Sequence, residues 1–286
     1  MTTGSEELFP PSERCVFQRA QLHQVFCQLR FPPILAIESA PPAGFQERIR
    51  GEFPFLERTN LVAPGNIPPE VLQLLSAQVG LLNAGSGQLP YSFLNESRTT
   101  TLGLTSNSIS LATSSYSRWE DFWRMLSEPL LALDDLYKPG FFTRIGLRYT
   151  NVIRRDAIGL QGVPWSRLLR REVLGELALP QFEKALDRVV NRAVVLKLPA
   201  DEGKVVFRHG LANVAGTPPS ENAYMIDFDF FKDARMETLD AKPTLDKFHE
   251  YAGHAFRWAI TPELYNTLGP VDPVTGTAKP IPIDGD

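Results

Sequence analysis

The chain has 286 residues, 43% hydrophobic and 22% charged, with 29 basic against 33 acidic side chains and a net charge of −4. This length supports one large hydrophobic core or two small ones, and the charge balance gives no global bias toward nucleic acid or acidic membranes. Two cysteines, Cys15 and Cys27, imply no disulfide framework and fit a reducing compartment.

The opening MTTGSEELFPPSER lacks a basic region followed by an apolar stretch, and no apolar run reaches the ~20 residues that cross a bilayer. The expectation is a cytoplasmic protein without a membrane partner. Residues 1–13 are polar, carry a Pro-Pro pair and read as disordered. Residues 22–31 alternate as a first strand ended by Pro32-Pro33, with Cys27 a small packed hydrophobe. Residues 43–51 set Phe45 and Ile49 on one helical face and close at Gly51. A loop at 64–69 precedes 70–82, which suits helix or irregular chain, and a glycine-rich run at 83–87.

Three short β-prone segments follow at 91–95, 99–104 and 108–113, the last two joined by a hairpin turn at Thr105-Ser106-Asn107. Over 117–137, Trp119, Phe122, Leu126, Leu130 and Leu133 recur at helical spacing, so this stretch is an amphipathic helix. Ser117 and Glu120 match a capping box, and Pro129 predicts a kink or a split. In 140–155, GFFTRIGLRYTNVIRR, Ile145, Leu147, Tyr149 and Ile153 point one way while Arg144, Arg148 and Arg154 point the other. Period-two alternation of this length predicts a strand with one buried face, central in a sheet.

Strand candidates recur at 189–198, 204–211 and 223–231, with a turn at Asp201-Glu202-Gly203 and a loop at 216–219. A helix over 244–259 sets Leu245, Phe248, Ala252, Ala255, Phe256 and Ala259 on one side. Thr261 and Pro262 suit the N-cap and first position of a short last helix. From Gly269 the chain is Pro/Gly-rich without periodicity, and is expected to be mobile. Strand-strand-strand-helix thus occurs twice, at 91–137 and 189–259. The predicted fold is α+β: antiparallel sheet from two such units, each with an amphipathic helix packed on one face. The expected organisation is a unit over 14–155 and a unit over 156–268, sharing one sheet or forming two lobes.

Several stretches, in order, carry a resemblance: FPP at 31–33, SRWEDF at 117–122, TRIGLRYTN at 143–151, MIDFDFF at 225–231 and FRWAITPEL at 256–264. Together they resemble a sporadically distributed bacterial family of uncharacterised proteins of about this length. The resemblance implies horizontally exchanged genes linked to mobile defence or toxin-antitoxin modules. It brings no catalytic residues with it.

Catalytic templates fit poorly. HEYAGH resembles the zincin HExxH, but its histidines, His249 and His254, are five residues apart, which rotates the second away from the face of the first. There is no phosphate-cradling P-loop and no G-x-S-x-G elbow, and Gly85-Ser86-Gly87 is a short loop. Asp227 and Asp229 form a D-x-D on a strand. They are either two carboxylates for a divalent cation or the polar face of a half-buried strand, with Arg144 and Arg148 as natural partners if the strands are adjacent. Arg144, Arg148, Arg154, Arg155, Arg167, Arg170 and Arg171 form a guanidinium-rich segment suited to phosphates, with Tyr149 and Trp165 available for stacking.

The favoured reading is a non-enzymatic binding protein with a protein partner or self-association, no cofactor and no metal. Its candidate binding residues are Arg144, Arg148, Arg154, Arg155, Asp227 and Asp229. The rivals are nucleic-acid or nucleotide binding through 144–171, and a metal-dependent enzyme acting on a phosphorylated substrate through Asp227 and Asp229. Exposed edge strands or an apolar surface patch would favour the protein partner.

Overall fold

The computed structural model describes residues 7–57, 91–179, 192–212 and 223–282. The expected loop at 64–69, the segment 70–82, the glycine-rich 83–87 and the loop at 216–219 lie outside them. So do residues 1–6, 189–191 and 283–286 of stretches considered above.

The architecture is α+β, with one nine-stranded antiparallel sheet and one two-stranded sheet. The strands are β1 (Val16–Phe17), β2 (Leu22–Arg30), β3 (Phe55–Glu57), β4 (Tyr91–Leu94), β5 (Thr100–Thr105), β6 (Ser108–Thr113), β7 (Phe141–Ile153), β8 (Arg192–Lys197), β9 (Lys204–Ala212), β10 (Ala223–Glu237) and β11 (Pro270–Val271). The helices are α1 (Leu35–Ser39), α2 (Ala43–Ile49), α3 (Trp119–Tyr137), α4 (Trp165–Leu168), α5 (Arg171–Leu174), α6 (Ala241–Ala259) and α7 (Pro262–Thr267). The large sheet runs β3-β4-β5-β6-β2-β7-β10-β9-β8, so the arginine-bearing β7 is interior as expected, but from Ile145 to Asn151 both of its faces are buried and not one. By compactness the chain divides into two units, each discontinuous in sequence: Met1–Leu22, Thr150–Phe228 and His249–Asp286, and His23–Tyr149 and Asp229–Phe248. Residues from both sides of the expected 155/156 boundary contribute to each.

In the second of these units, strand alternation sorts the sheet residues into rows. Cys27, Leu111, Leu102 and Phe93 are successive cross-strand partners and all buried, while the adjacent row reads Gln28, Ser110, Gly103, Ser92 and Glu57. An apolar row beside a polar one is the direct result of side chains alternating across the pleat. Phe45 of α2 packs on Phe93 at 5.8 Å and on Tyr137 of α3 at 6.5 Å. The Trp119 indole donates to Asp246 Oδ1 at 2.7 Å, and Phe248 stacks on Phe230.

Two helix-level expectations are corrected. The capping box does not form: Arg118 occupies the N-cap without a side-chain cap, and Ser117 Oγ donates to Asp121 Oδ2 at 2.8 Å. The carboxylates of Glu120 and Asp121 in the first turn offset the open N–H groups instead. Of the two outcomes expected at Pro129, a kink or a split, the split does not occur; α3 is one element of 19 residues. Leu126 before the proline and Ala132 and Leu133 after it are buried, and that packing outweighs the ~3 kcal/mol an interior proline costs.

In the first unit, Phe207 stacks on Phe228 at 4.5 Å, and Trp165 packs on Tyr224 at 5.4 Å. Thr261 caps α7 through its hydroxyl, with Pro262 at the first helical position, as expected. Residues 7–13, expected to be disordered, are held. Phe9 is buried against Phe228 and Trp258, and the Ser12 amide donates to His254 Nδ1 at 3.1 Å. Burying one phenylalanine contributes roughly 1.5–3 kcal/mol toward ordering the segment. The aperiodic segment from Gly269 is tied as well, through the β1–β11 pairing. The Asn266 side chain also bonds both the N–H and the C=O of Ile281, at 2.9 and 2.8 Å.

Candidate functional site

β7 and β10 are neighbours, so the condition set for pairing their arginines and aspartates is met. The register assigns the partners. Thr150 Oγ1 donates to Asp227 Oδ1 at 2.8 Å, a Cβ on Gly146 would sit 3.6 Å from Phe231 Cβ, and Arg144 Nη1 meets Asp233 Oδ1 at 2.9 Å. Each step back along β7 is a step forward along β10, and the same offset sets Arg148 opposite Asp229. Arg144 therefore pairs with Asp233, and it also lies 3.9 Å over the Phe231 ring.

Asp227 is fully buried, and its second oxygen accepts from Arg208 Nη1 of β9 at 3.0 Å. A buried carboxylate with a hydroxyl and a guanidinium on its two oxygens is internally neutralised. Asp229 is half-buried and Arg148 is buried. Among the described residues no cluster of three or more metal-ligating side chains occurs.

Several arginines of the segment are likewise engaged inside the protein. Arg154 donates to both oxygens of Asp156, at 3.3 and 2.6 Å. Arg155 is buried, donates to the Val163 carbonyl at 2.7 Å and lies 4.5 Å over the Trp165 ring. Arg167 forms a two-pronged pair with Glu263, at 3.0 and 2.8 Å. Arg170 and Arg171 stay exposed. Arg154, Arg155 and Arg167 thus form separate structural contacts.

The outer strand β8 has a different character. It is last in the sheet order, so among the described strands one of its edges has no neighbour. Val194 is 45% exposed and Val195 61% exposed, though β-branched residues of this kind normally pack. At its end Lys197 is the register partner of Lys204 on β9, and both are exposed. Neither forms an ion pair with a described residue, and like charges directly opposite are destabilising. The strand was legible in the sequence, but its place at the edge was not.

No protein-family model matches the sequence, and neither does any curated protein. Among solved structures, the duplicated taurocyamine kinase from Schistosoma mansoni, with bound transition state analog components, shares 11% identity at a TM-score of 0.35, covering 82% of this chain and 32% of its own. Lombricine kinase shares 9% identity at a TM-score of 0.29, covering 89% of this chain and 74% of its own. The chain spans about a third of the first enzyme's length, and likenesses at these TM-scores establish neither a shared fold nor a shared activity.

Proposed function

We propose that this chain is a non-enzymatic cytoplasmic interaction protein that takes an extended, acidic segment of a partner protein along β8. The observation that carries this reading is the edge of β8 that no described strand covers, with two exposed valines and the facing lysines Lys197 and Lys204. An added strand satisfies the unpaired backbone groups of an edge, and its alternate side chains cover the apolar positions. A carboxylate on that strand relieves the lysine pair. A second copy fits less well: antiparallel pairing centred on Val194 and Val195 would set Lys197 against Arg192. The resemblance to the sporadic bacterial family adds a link of this chain to a mobile defence or toxin-antitoxin module.

The test is affinity capture of the tagged full chain from its native cell after nuclease treatment. Wild type is compared with Lys197→Glu/Lys204→Glu and with Leu239→Glu, a change at a separate exposed apolar residue. The expected result is a protein retained by wild type and Leu239→Glu but lost from the double variant, whose binding slows amide exchange in β8. Capture unaffected by the lysine reversal, or recovery of nucleic acid alone, would overturn the reading.

A further inference from the structure

A cleft of ≈ 530 Å³ in the first unit is lined by segment 10–13, Arg170, Arg257, Trp258, Tyr265 and segment 279–281. Its cations divide into two kinds. Lys279 is balanced, 3.0 Å from Asp272 and 3.4 Å from Glu13, so the one carboxylate in the lining is already engaged. Arg257 and Arg170 have no carboxylate partner among the described residues. Arg257, in the last turn of α6, lies 4.4 Å over the Tyr265 ring, and its Nη1 is buried without a hydrogen-bond acceptor among the described residues. The negative end of the helix accounts for a cation at that position, but not for a buried N–H left unpaired. Burial, and Arg170 nearby, push the Arg257 guanidinium below its ordinary value.

Arg170 is not a loose surface residue. Its amide donates to the Ala259 carbonyl at 3.1 Å, and Leu169 bridges to Ile260, so the backbone is fastened beside the end of α6. Two guanidiniums lining one cleft, one with a buried donor left over among the described residues, constitute an arrangement that an anion completes. We propose that this cleft binds a small organic oxyanion, a phosphate ester or carboxylate, with Arg257 and Arg170 on its oxygens. The planar fork of arginine matches two oxygens of either group. The volume exceeds that of a bare ion and falls within the range of small-molecule sites, with Trp258 and Tyr265 as apolar wall for the ligand's body. This site is independent of β8.

The test measures thermal unfolding and calorimetric binding of the full chain with inorganic phosphate, phenyl phosphate and benzoate, against sodium chloride at equal ionic strength. The proposal expects saturable stabilisation by at least one of the three. Affinity should fall about 10- to 100-fold in Arg257→Lys, which keeps the charge and loses the fork, and also fall in Arg170→Gln. Preference between phenyl phosphate and benzoate identifies the oxyanion, and phenyl phosphate exceeding inorganic phosphate identifies a ligand with an apolar body. Equal effects of all salts and chloride, or variants that bind as wild type does, would overturn it. Should Arg257→Lys not fold, Arg170→Gln decides the matter, because Arg170 is exposed and buries no side-chain charge.

Discussion

Asp227→Asn probes whether the D-x-D carboxylate is structural. The side chain is fully buried between Thr150 at 2.8 Å and Arg208 at 3.0 Å, and the Arg208 side chain is itself only 9% exposed. Asparagine preserves the volume but removes the charge, and its NH₂ must face one of two donors. Removing one member of a buried ion pair costs about 3–5 kcal/mol, because the other charge is left uncompensated. At roughly 2–4 °C per kcal/mol, the melting temperature should fall by roughly 6–20 °C. Replacing both members, as Asp227→Leu/Arg208→Met, removes charge and counter-charge together and should recover at least half of the loss. Urea titration reads both variants, with a change of midpoint at constant slope reporting stability. An Asp227→Asn protein within about 0.5 kcal/mol of wild type would refute the reasoning, because a buried guanidinium that loses its carboxylate partner cannot be that cheap. A divalent cation that stabilised wild type but not Asp227→Asn would instead make the carboxylate a ligand.

His209 is buried, with Nδ1 2.9 Å from the Tyr224 hydroxyl, and burial together with Arg192 pushes its pKa down to about 4. The folded value lies below the unfolded one of about 6.5, so the unfolded chain binds the proton first as pH falls. This group has no effect on stability above about 6.5, then lowers it down to about 4, with a slope of at most ~1.4 kcal/mol per pH unit. Urea titrations of His209→Gln across that window should show a shallower acid limb, and an unchanged limb would remove His209 as its source. Lys138 ends α3 at φ 47°, in the left-handed region. Lys138→Gly should raise stability by about 1 kcal/mol in calorimetry, since only the Cβ is strained there; no gain would mean that the αL position is relieved by other means.

The elements read from local patterns are those in which one residue's environment follows from its near neighbours. The alternation of Ile145, Leu147 and Tyr149 and the stripe of Phe122, Leu126 and Leu133 match buried positions in β7 and α3. Thr261-Pro262 starts α7 as its chemistry dictates. Pairing was less legible. Arg144 meets Asp233, beyond the expected strand end at 231, because β10 continues to Glu237. A strand ended six residues early hides the partner, however clear the arginine pattern is.

Chain composition and periodicity were enough to establish the α+β class, most strands and the main helices, since backbone geometry imposes periods of two and 3.6 on any chain that buries one face. Other features depend on contacts that local periodicity does not record. Ser12 is fastened to His254, and Asn266 holds the end of an otherwise aperiodic segment. The same holds for the edge position of β8, the burial of Asp227 and the convergence of Arg170 with Arg257. Those follow from sheet order and register, which are set by long-range closure of the chain and leave no periodic trace in the segments they join.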